Sequence, residues 1–453
     1  MASSYQAAVE HLYALGHELA SVPSHRFDLA HMRALLAALG NPERRFSSVL
    51  IAGTNGKGST AAMLASILCA AGHRTGLYTS PHLLRVNQRI RVGGSEISDA
   101  QFGTIHDLVE EAADRLVAAG ELPWHPSFFE MLTAMAFEHF DRAAVEIAVL
   151  EVGMGGRLDA TNVVEPVLSV ITDIALDHQK FLGDTIAEIA HEKAGVIRAG
   201  GVVVTLPQHP EANDVIGNAI LERGARAVSA VPYVPPVAPG ASQVPDIAPS
   251  ATRTRYPLTV LGERIEVDSP LVGRHQLRNA ALAIAAAEQL HAAGFHVAAK
   301  DIARGIRETD WPGRFQRIPA TREWPELILD VAHNPAGAWA LRSTLSEHVG
   351  ERPFTLLFGV MGDKAVTEIA QILFPLAQHV VATRANNPRS ATPQEVRDAG
   401  SRTGADILLE PSVPAALERA AKLAGPGGLV VVTGSIYLVG ETLNQLNIAH
   451  VET

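Results

Sequence analysis

Cysteine is nearly missing from this sequence: Cys69 stands alone among 453 residues. A single thiol excludes an internal disulfide framework and fits a reducing compartment. Long apolar runs are missing too, and none approaches the roughly 20 residues that a bilayer-spanning helix needs. The opening stretch MASSYQAAVEHLYALGHE lacks a basic segment followed by an apolar one, so the expectation is a cytoplasmic protein with no membrane partner. Basic excess is the third absence. Lys and Arg number 37 against 48 Asp and Glu, a formal net charge of -11. That balance argues against nucleic acid as a partner, because broad binding needs a basic face to displace counterions. Anionic small substrates stay open, since local cations, helix N-termini and metal ions hold phosphates whatever the global charge.

At about 150 residues per domain, the length suggests two or three domains, with two as the working number. Apolar residues make up 47% and charged ones 19%, a globular composition. Continuous apolar runs at Ser47–Ala52, Thr75–Thr79, Val145–Leu150, Leu168–Ile171 and Val202–Thr205 alternate with helical patterns such as residues 61–71. This order predicts an α/β fold with a mostly parallel sheet covered on both faces. Between Pro232 and Arg255 the chain is rich in Pro, Gly and Ser without periodicity, and reads as a surface insertion or mobile loop. The helical pattern then stops at Thr309-Asp-Trp-Pro-Gly-Arg314. Beyond it, strands are expected at Leu327–Val331, Thr355–Val360, Val380–Thr383, Ile407–Glu410 and Leu429–Thr433. The expected division is 1–308 for a P-loop ATPase-like domain and 309–453 for a smaller Rossmann-like α/β domain, with ligands favouring the junction.

Between the first strand and the first helix stands Gly53-Thr-Asn-Gly-Lys-Gly-Ser-Thr60. Its glycines allow positive φ and close approach of backbone N–H groups to phosphate oxygens, Lys57 can neutralise charge, and Ser59 or Thr60 can offer a hydroxyl to Mg²⁺. A standard P-loop sets its first glycine five residues before the Gly-Lys pair, and here the interval from Gly53 to Gly56 is shorter. A nucleotide site and a flexible turn both remain open on this stretch alone. Glu151 ends an apolar strand where a second acidic group would meet a nucleotide's metal, against the plainer reading of a solvent-facing strand end. His178 follows Asp177 after another strand, as a magnesium ligand or a satisfied structural imidazole. On helical periodicity alone Lys193 is an exposed side chain.

GTNGKGST, Tyr78-Thr-Ser-Pro-His-Leu83, Glu151 to Asn162 (EVGMGGRLDATN), Leu176-Asp-His178, Glu192-Lys-Ala-Gly195, His275-Gln-Leu-Arg-Asn279, Trp311-Pro-Gly-Arg-Phe-Gln316, Asp330-Val-Ala-His-Asn-Pro335 and Thr433-Gly-Ser435 run in order through the chain. Together they resemble the folylpolyglutamate synthase/dihydrofolate synthase family of the Mur ligase superfamily. The resemblance implies an ATP-dependent amide ligase acting on L-glutamate, 7,8-dihydropteroate and reduced folates, and a monomer.

It further implies that Thr54, Asn55, Gly56, Lys57, Gly58 and Ser59 hold the ATP phosphates, with Asn279, Arg314 and Asp330 also contacting ATP. Ser59, Ser80, Glu151 and His178 would serve magnesium. Lys193 would be carbamylated to hold a second magnesium, which replaces the exposed reading. Lys57, Lys193, His178, Arg314 and His333 are the catalytic candidates, His333 being open between a contact and a structural role. Arg26, Phe27, Asp28, Leu29, Ser127, Phe128, Phe129, Glu130, Leu158, Asp159 and Ala160 would lie along the pterin substrate. The base for the glutamate amine stays unassigned among His82, His178, His275 and His333.

The loop Gly156–Asn162 resembles that of bifunctional bacterial members, so both glutamate additions are expected, with a purely polyglutamylating enzyme as the alternative. Val331 replaces a glycine common in relatives, and Ala365 replaces a common acidic residue, which weakens a glutamate-binding assignment for that loop. A cell-wall Mur ligase should lack the LDATN and SPHL stretches. A GTPase switch would need an Asn-Lys pair, which the chain does not contain. A dead scaffold is disfavoured because each expected metal and phosphate position carries a competent residue.

Overall fold

The computed structural model describes residues 4–16, 28–236 and 252–446. Its first sheet holds β1 (Ser47–Ala52), β2 (Thr75–Tyr78), β3 (Ile90–Val92), β4 (Ser95–Glu96), β5 (Ile147–Glu151), β6 (Leu168–Ile171), β7 (Val202–Thr205) and β8 (Arg226–Ser229). They lie in the order β4-β3-β2-β5-β1-β6-β7-β8, parallel except at β3 and β4. Side chains alternate across a strand, so β1 sends Leu50 and Ala52 into one core and Val49 and Ile51 into the other. The helices Leu29–Ala38, Asp99–Ala118 and Phe128–Arg142 cover the first face, and Lys57–Ala70, Arg274–Ala292 and Ala299–Arg307 cover the second. Two covered faces explain why β1 and β5 read as unbroken apolar runs.

A hairpin of β9 (Thr254–Val260) and β10 (Glu263–Ser269) packs on the helix Ala299–Arg307. The chain then crosses through Thr309–Phe315 to a second sheet of β11 (Gln316–Ile318), β12 (Glu326–Leu329), β13 (Thr355–Phe358), β14 (His379–Ala382), β15 (Ile407–Leu409) and β16 (Leu429–Thr433). Its order is β11-β12-β16-β13-β14-β15, antiparallel only at β11.

The irregular reading of 232–255 needs correction at its end, because Thr254 and Arg255 already pair in β9. Tyr256 and Val260 are buried on alternate positions, while Pro257 sits on an edge strand, where a missing N–H costs least. Residues 237–251 of that stretch lie outside the described residues. β12 stops at Leu329, two residues earlier than expected, which frees Asp330 and Val331 for the loop at the sheet's carboxyl edge.

Candidate functional site

β1 and β5 are in register from Ser47 with Ile147 to Ile51 with Glu151, so the glycine loop and Glu151 leave the sheet side by side. β6 lies on the other flank of β1, and the carboxyl edge opens there into a cleft of about 900 Å³. Such an edge, where chain directions diverge, is where open α/β sheets bind ligands.

The glycine loop is tied from both sides. Thr54 and Asn55 donate their backbone N–H groups to the Asp173 carbonyl at 2.9 and 3.1 Å, and the Thr54 hydroxyl donates to the Ala175 carbonyl at 3.0 Å. Asp173 is itself held by Arg278 at 2.6 Å. Gly56 has φ of +86°, and a Cβ there would stand 2.2 Å from Asn279 Oδ1, so only glycine serves. The loop passes directly into the helix Lys57–Ala70, which aims unpaired N–H groups and the positive end of the helix at the cleft. Lys57 lies back on the Thr54 carbonyl at 3.2 Å. Ser59 accepts from Gln276 at 3.4 Å, and Gln276 accepts from Asn279 at 2.9 Å.

Three ionisable groups lie beside this loop, two of them buried and His178 half-buried. Glu151 accepts the Ser80 backbone N–H at 3.2 Å, and burial pushes its carboxyl above the ordinary range. His178 sits in the left-handed region at φ +52°, and its buried Nδ1 has no hydrogen-bond partner. Burial, reinforced by nearby Lys364, His333 and Lys57, takes its pKa down to about 3, so the imidazole is neutral. Lys193 is only 4% exposed, against the solvent-facing position that helical periodicity suggests. The loop carrying Gly156 and Arg157 covers it, with Arg157 N–H bonded to the Glu192 carbonyl at 2.8 Å. Its amine donates to the Gly53 carbonyl at 2.7 Å, and burial, with Lys57 adding repulsion, lowers its pKa to about 7.

The second sheet contributes the facing wall. Asp330 accepts backbone N–H groups of Phe315 and Ala332, each at 2.9 Å, which fixes the loop around Arg314 and His333. Arg314 lies over the Trp311 ring, 5.7 Å from its centroid. His333 approaches the Val331 carbonyl at 2.9 Å and Asp177 at 3.5 Å. Val331 is accommodated with 8% exposure, and its N–H reaches the Gly313 carbonyl at 3.1 Å. Ala365 precedes the helix Val366–Leu373 without a side-chain cap, the contact an acidic residue could have made.

The sequence reading missed a polar seam between the sheets. Lys364 reaches Asp177 at 2.5 Å with both side chains buried, and Asn334 donates to Asp177 at 3.1 Å and to Asn55 at 2.9 Å. Burial alone would raise Asp177, yet His333, His178 and Lys364 hold it far below the usual carboxylate range. The available signal was placement, since Lys364 follows a strand at a carboxyl edge just as Asp330 does.

The remaining candidates line the same cleft through Asp28, Leu29, Ser127, Phe128, Phe129, Glu130, Leu158, Asp159 and Ala160. Arg26 and Phe27 lie outside the described residues. Ser127 and Glu130 form a capping box on the helix Phe128–Arg142, and Asp28 caps Leu29–Ala38. Asp159 faces its own loop: it accepts from the backbones of Met154 and Thr161 and from the Thr161 hydroxyl, so it shapes the wall. Among the unassigned bases, His82 is occupied by Arg89 at 2.9 Å and Tyr13 at 3.3 Å and lies outside the cleft lining.

The chain matches the family model for the Mur ligase middle domain over residues 128–287 and the Mur ligase glutamate ligase domain over 313–436. It is 33% identical to the dihydrofolate synthase/folylpolyglutamate synthase of Bacillus subtilis, over 92% of this chain and 94% of that one. It is 37% identical to the "Probable bifunctional folylpolyglutamate synthase/dihydropteroate synthase" of Haloferax volcanii over 90% of its own length, spanning only 47% of that longer relative. Among solved structures it resembles Mycobacterium tuberculosis folylpolyglutamate synthase complexed with ADP and AMPPCP, at TM-score 0.85, 33% identity and coverage of 97% and 98%. It also resembles Escherichia coli FolC in complex with DHPP and ADP, at TM-score 0.80, 28% identity and coverage of 98% on both sides. No described helix is long and apolar enough to cross a membrane. On this likeness across both domains, the chain belongs to the dihydrofolate synthase/folylpolyglutamate synthase family of Mur ligases.

Proposed function

We propose that this protein is an ATP-dependent amide ligase. It joins L-glutamate to dihydropteroate and to the γ-carboxyl of folyl-glutamates, releasing ADP and phosphate. The observation that carries this reading is the convergence of a phosphate loop, Glu151 and Lys193 from one sheet with Arg314, Asp330 and His333 from the other around one cleft.

A carboxylate resists attack by an amine, so the γ-phosphoryl group of ATP is first transferred to it, giving an acyl phosphate. The loop N–H groups and Lys57 hold the phosphates, and Arg314 faces them from the second sheet. Positioning and charge neutralisation supply most of the catalysis in phosphoryl transfer. The glutamate amine then attacks the acyl carbon, the C–O bond to phosphate breaks, and the amine loses its proton. Contact between the two walls excludes water that would hydrolyse the acyl phosphate.

The donor set fits magnesium: Glu151 is a buried carboxylate short of a counter-charge, and His178 presents an unpartnered neutral nitrogen. Glu151, His178 and the Ser59 and Ser80 hydroxyls would hold one ion, which would offset the phosphate charge. Lys193 suits carbamylation, because an amine with a pKa of about 7 is in good part neutral at physiological pH and can attack the carbon of CO₂ with loss of one proton. The resulting carboxylate would serve a second ion. His333 is read as a contact to the reacting groups, and Asp28, Leu29, Phe128, Phe129, Leu158 and Ala160 as the pterin wall. A cytoplasmic monomer completes the reading.

Both glutamate additions are proposed, on the Gly156–Asn162 loop and the two-activity name of the Bacillus relative. A Lacticaseibacillus casei relative, 34% identical over 94% of this chain and 95% of its own, is named folylpolyglutamate synthase alone. The deciding assay supplies Mg-ATP with dihydropteroate, or with tetrahydrofolate, and tests phosphate release with and without L-glutamate. Glutamate-dependent release and an amide product with both acceptors is expected; product with tetrahydrofolate alone restricts the reading to polyglutamylation, and product with neither defeats it.

A further inference from the structure

Away from the glycine loop, three imidazoles and a carboxylate meet where the helices Tyr5–Ala14 and Asp99–Ala118 cross. His106 and Glu110 are one turn apart and share a face of the second helix. His106 Nε2 stands 3.0 Å from His11 Nδ1. Glu110 Oε1 stands 3.5 Å from His11 Nε2 and 3.2 Å from His125 Nε2, while Oε2 is buried with no hydrogen-bond partner.

The outer nitrogens decide what the inner ones can do. His106 Nδ1 faces Asp107 Oδ1 at 3.2 Å, and His125 Nδ1 faces the Pro126 carbonyl at 3.0 Å. Both partners accept, so each Nδ1 carries a hydrogen and His106 Nε2 is left to face inward. This carboxylate or carbonyl behind the imidazole is the arrangement that orients metal-ligating histidines. Inside the cluster, His106 Nε2 faces His11 Nδ1 and His125 Nε2 faces Glu110 Oε1, and the buried Glu110 Oε2 is left without a partner. A cation between the two helices would give that oxygen a partner. A proton on His125 answers its contact with Glu110 and leaves Glu110 Oε2 bare, whereas a metal between the two helices takes up a carboxylate oxygen.

We propose that His11, His106 and Glu110 form a binding site for a divalent transition ion of the Zn(II) type, separate from the ligase centre. Their ligand atoms lie within 4.8 Å of one another. The 3.0 Å separation of the two nitrogens is close to the edge of about 3.3 Å set by Zn–N bonds of about 2.0 Å in a tetrahedron. Two imidazoles and one carboxylate favour zinc over Mg²⁺ or Ca²⁺, which take mainly oxygen. His11 has a side chain 37% exposed, which gives the ion a path in and leaves room for a water as fourth ligand.

The site would pin the helix Tyr5–Ala14 to the body of the domain. That helix carries Tyr13, stacked on Phe128 at 5.5 Å and 13°, and runs into Leu15 and Gly16, which line the cleft. A bound ion would therefore order one wall of the substrate cleft from outside it.

The test uses the full chain with saturating Mg-ATP, Zn(II) titrated against a chromogenic chelator, and Co(II) as a spectroscopic probe. Wild type should bind one equivalent more than His11→Gln or Glu110→Gln, or bind it at least about tenfold more tightly. Co(II) should give intense visible bands of a four-coordinate site, absent from both variants. Zn(II) should slow amide exchange across residues 5–14 in wild type only. Equal stoichiometry and affinity in all three proteins, or cobalt bands that persist in the variants, overturns the proposal. His11→Gln changes a partly exposed side chain, so it decides the matter should Glu110→Gln fail to fold.

Discussion

Around the phosphate loop the cleft wall is built from ionisable groups with few protein partners, Glu151 and Lys193 buried and His178 half-buried; around the helices Leu29–Ala38 and Phe128–Arg142 it is built mainly from aliphatic and aromatic carbon. The first region leaves its ionisable groups poorly compensated. Burial drives the Glu151 carboxyl up and the Lys193 amine down, each toward neutrality, the response of a site awaiting counter-charge. The second region is complete as it stands. Ser127 and Glu130 cap their helix, Phe128 lies against Tyr13, and Phe129 packs near Tyr78 with ring centroids 6.0 Å apart. Changes in the first should therefore abolish turnover with little effect on stability, and changes in the second should alter substrate affinity.

The largest effect is expected at Lys193. Lys193→Ala should lower kcat by about 10³-fold, the scale of losing a preorganised charge at a phosphoryl-transfer centre. Acetate or another short carboxylic acid should restore part of it by standing in for the proposed carbamate. Turnover near wild type would remove Lys193 from the mechanism. Next is the seam between the sheets. Lys364→Met leaves Asp177 buried beside Asn334 without its ammonium, a loss of about 3 kcal/mol for breaking a buried pair. Because the pair joins the two sheets, the loss should appear as a larger radius of gyration in small-angle scattering and about 100-fold lower kcat/KM. An unchanged scattering curve would show that the seam does not hold the domains together. In the apolar region, Phe129→Ala should raise KM for the pterin substrate about tenfold while moving KM for ATP less than about twofold, as expected for lost apolar contact with one ligand.

The same contrast separates what was legible in the chain from what was not. Strands buried on both faces announce themselves as apolar runs, and the glycine loop announces itself because a Cβ at Gly53 or Gly56 would collide with Thr172 or Asn279. β4 consists of two exposed residues and β8 has no fully buried one, so neither carries a hydrophobic signal. Lys193 misled helical periodicity because the cover on it is a loop, held by Arg157 from 35 residues away. The Asn55–Asn334 contact spans 279 residues and the Lys364–Asp177 pair spans 187, distances over which no local pattern reports. The residues proposed as the pterin wall could be named only through family resemblance, since a ring on a substrate wall and a ring in a core follow one pattern.

The smallest expected effect tests whether the apolar region is free of charge coupling. His31 and Glu130 meet there at 3.1 Å. Burial works against charging His31, yet the hydrogen bond to Glu130, the Glu130 charge and the Trp124 carbonyl together outweigh it and hold the imidazole pKa above its ordinary value. Burial likewise works to raise Glu130, and His31 and Ser127 hold it below the ordinary range. The raised histidine contributes stability that is complete below its unfolded pKa of about 6.5 and fades as pH rises through the folded value. The lowered carboxylate contributes stability that is complete above its unfolded pKa of about 4.5 and fades as pH falls through the folded value. Both contributions are therefore full between about pH 4.5 and 6.5. Glu130→Gln keeps the shape of the capping box and removes the charge. It should lower Tm by about 1–2 °C at pH 6, the shift expected for roughly 1 kcal/mol in a domain of this size, and by less at pH 8.5. A deficit that does not change with pH would mean that the pair acts as a neutral hydrogen bond, and that the apolar wall owes nothing to charge.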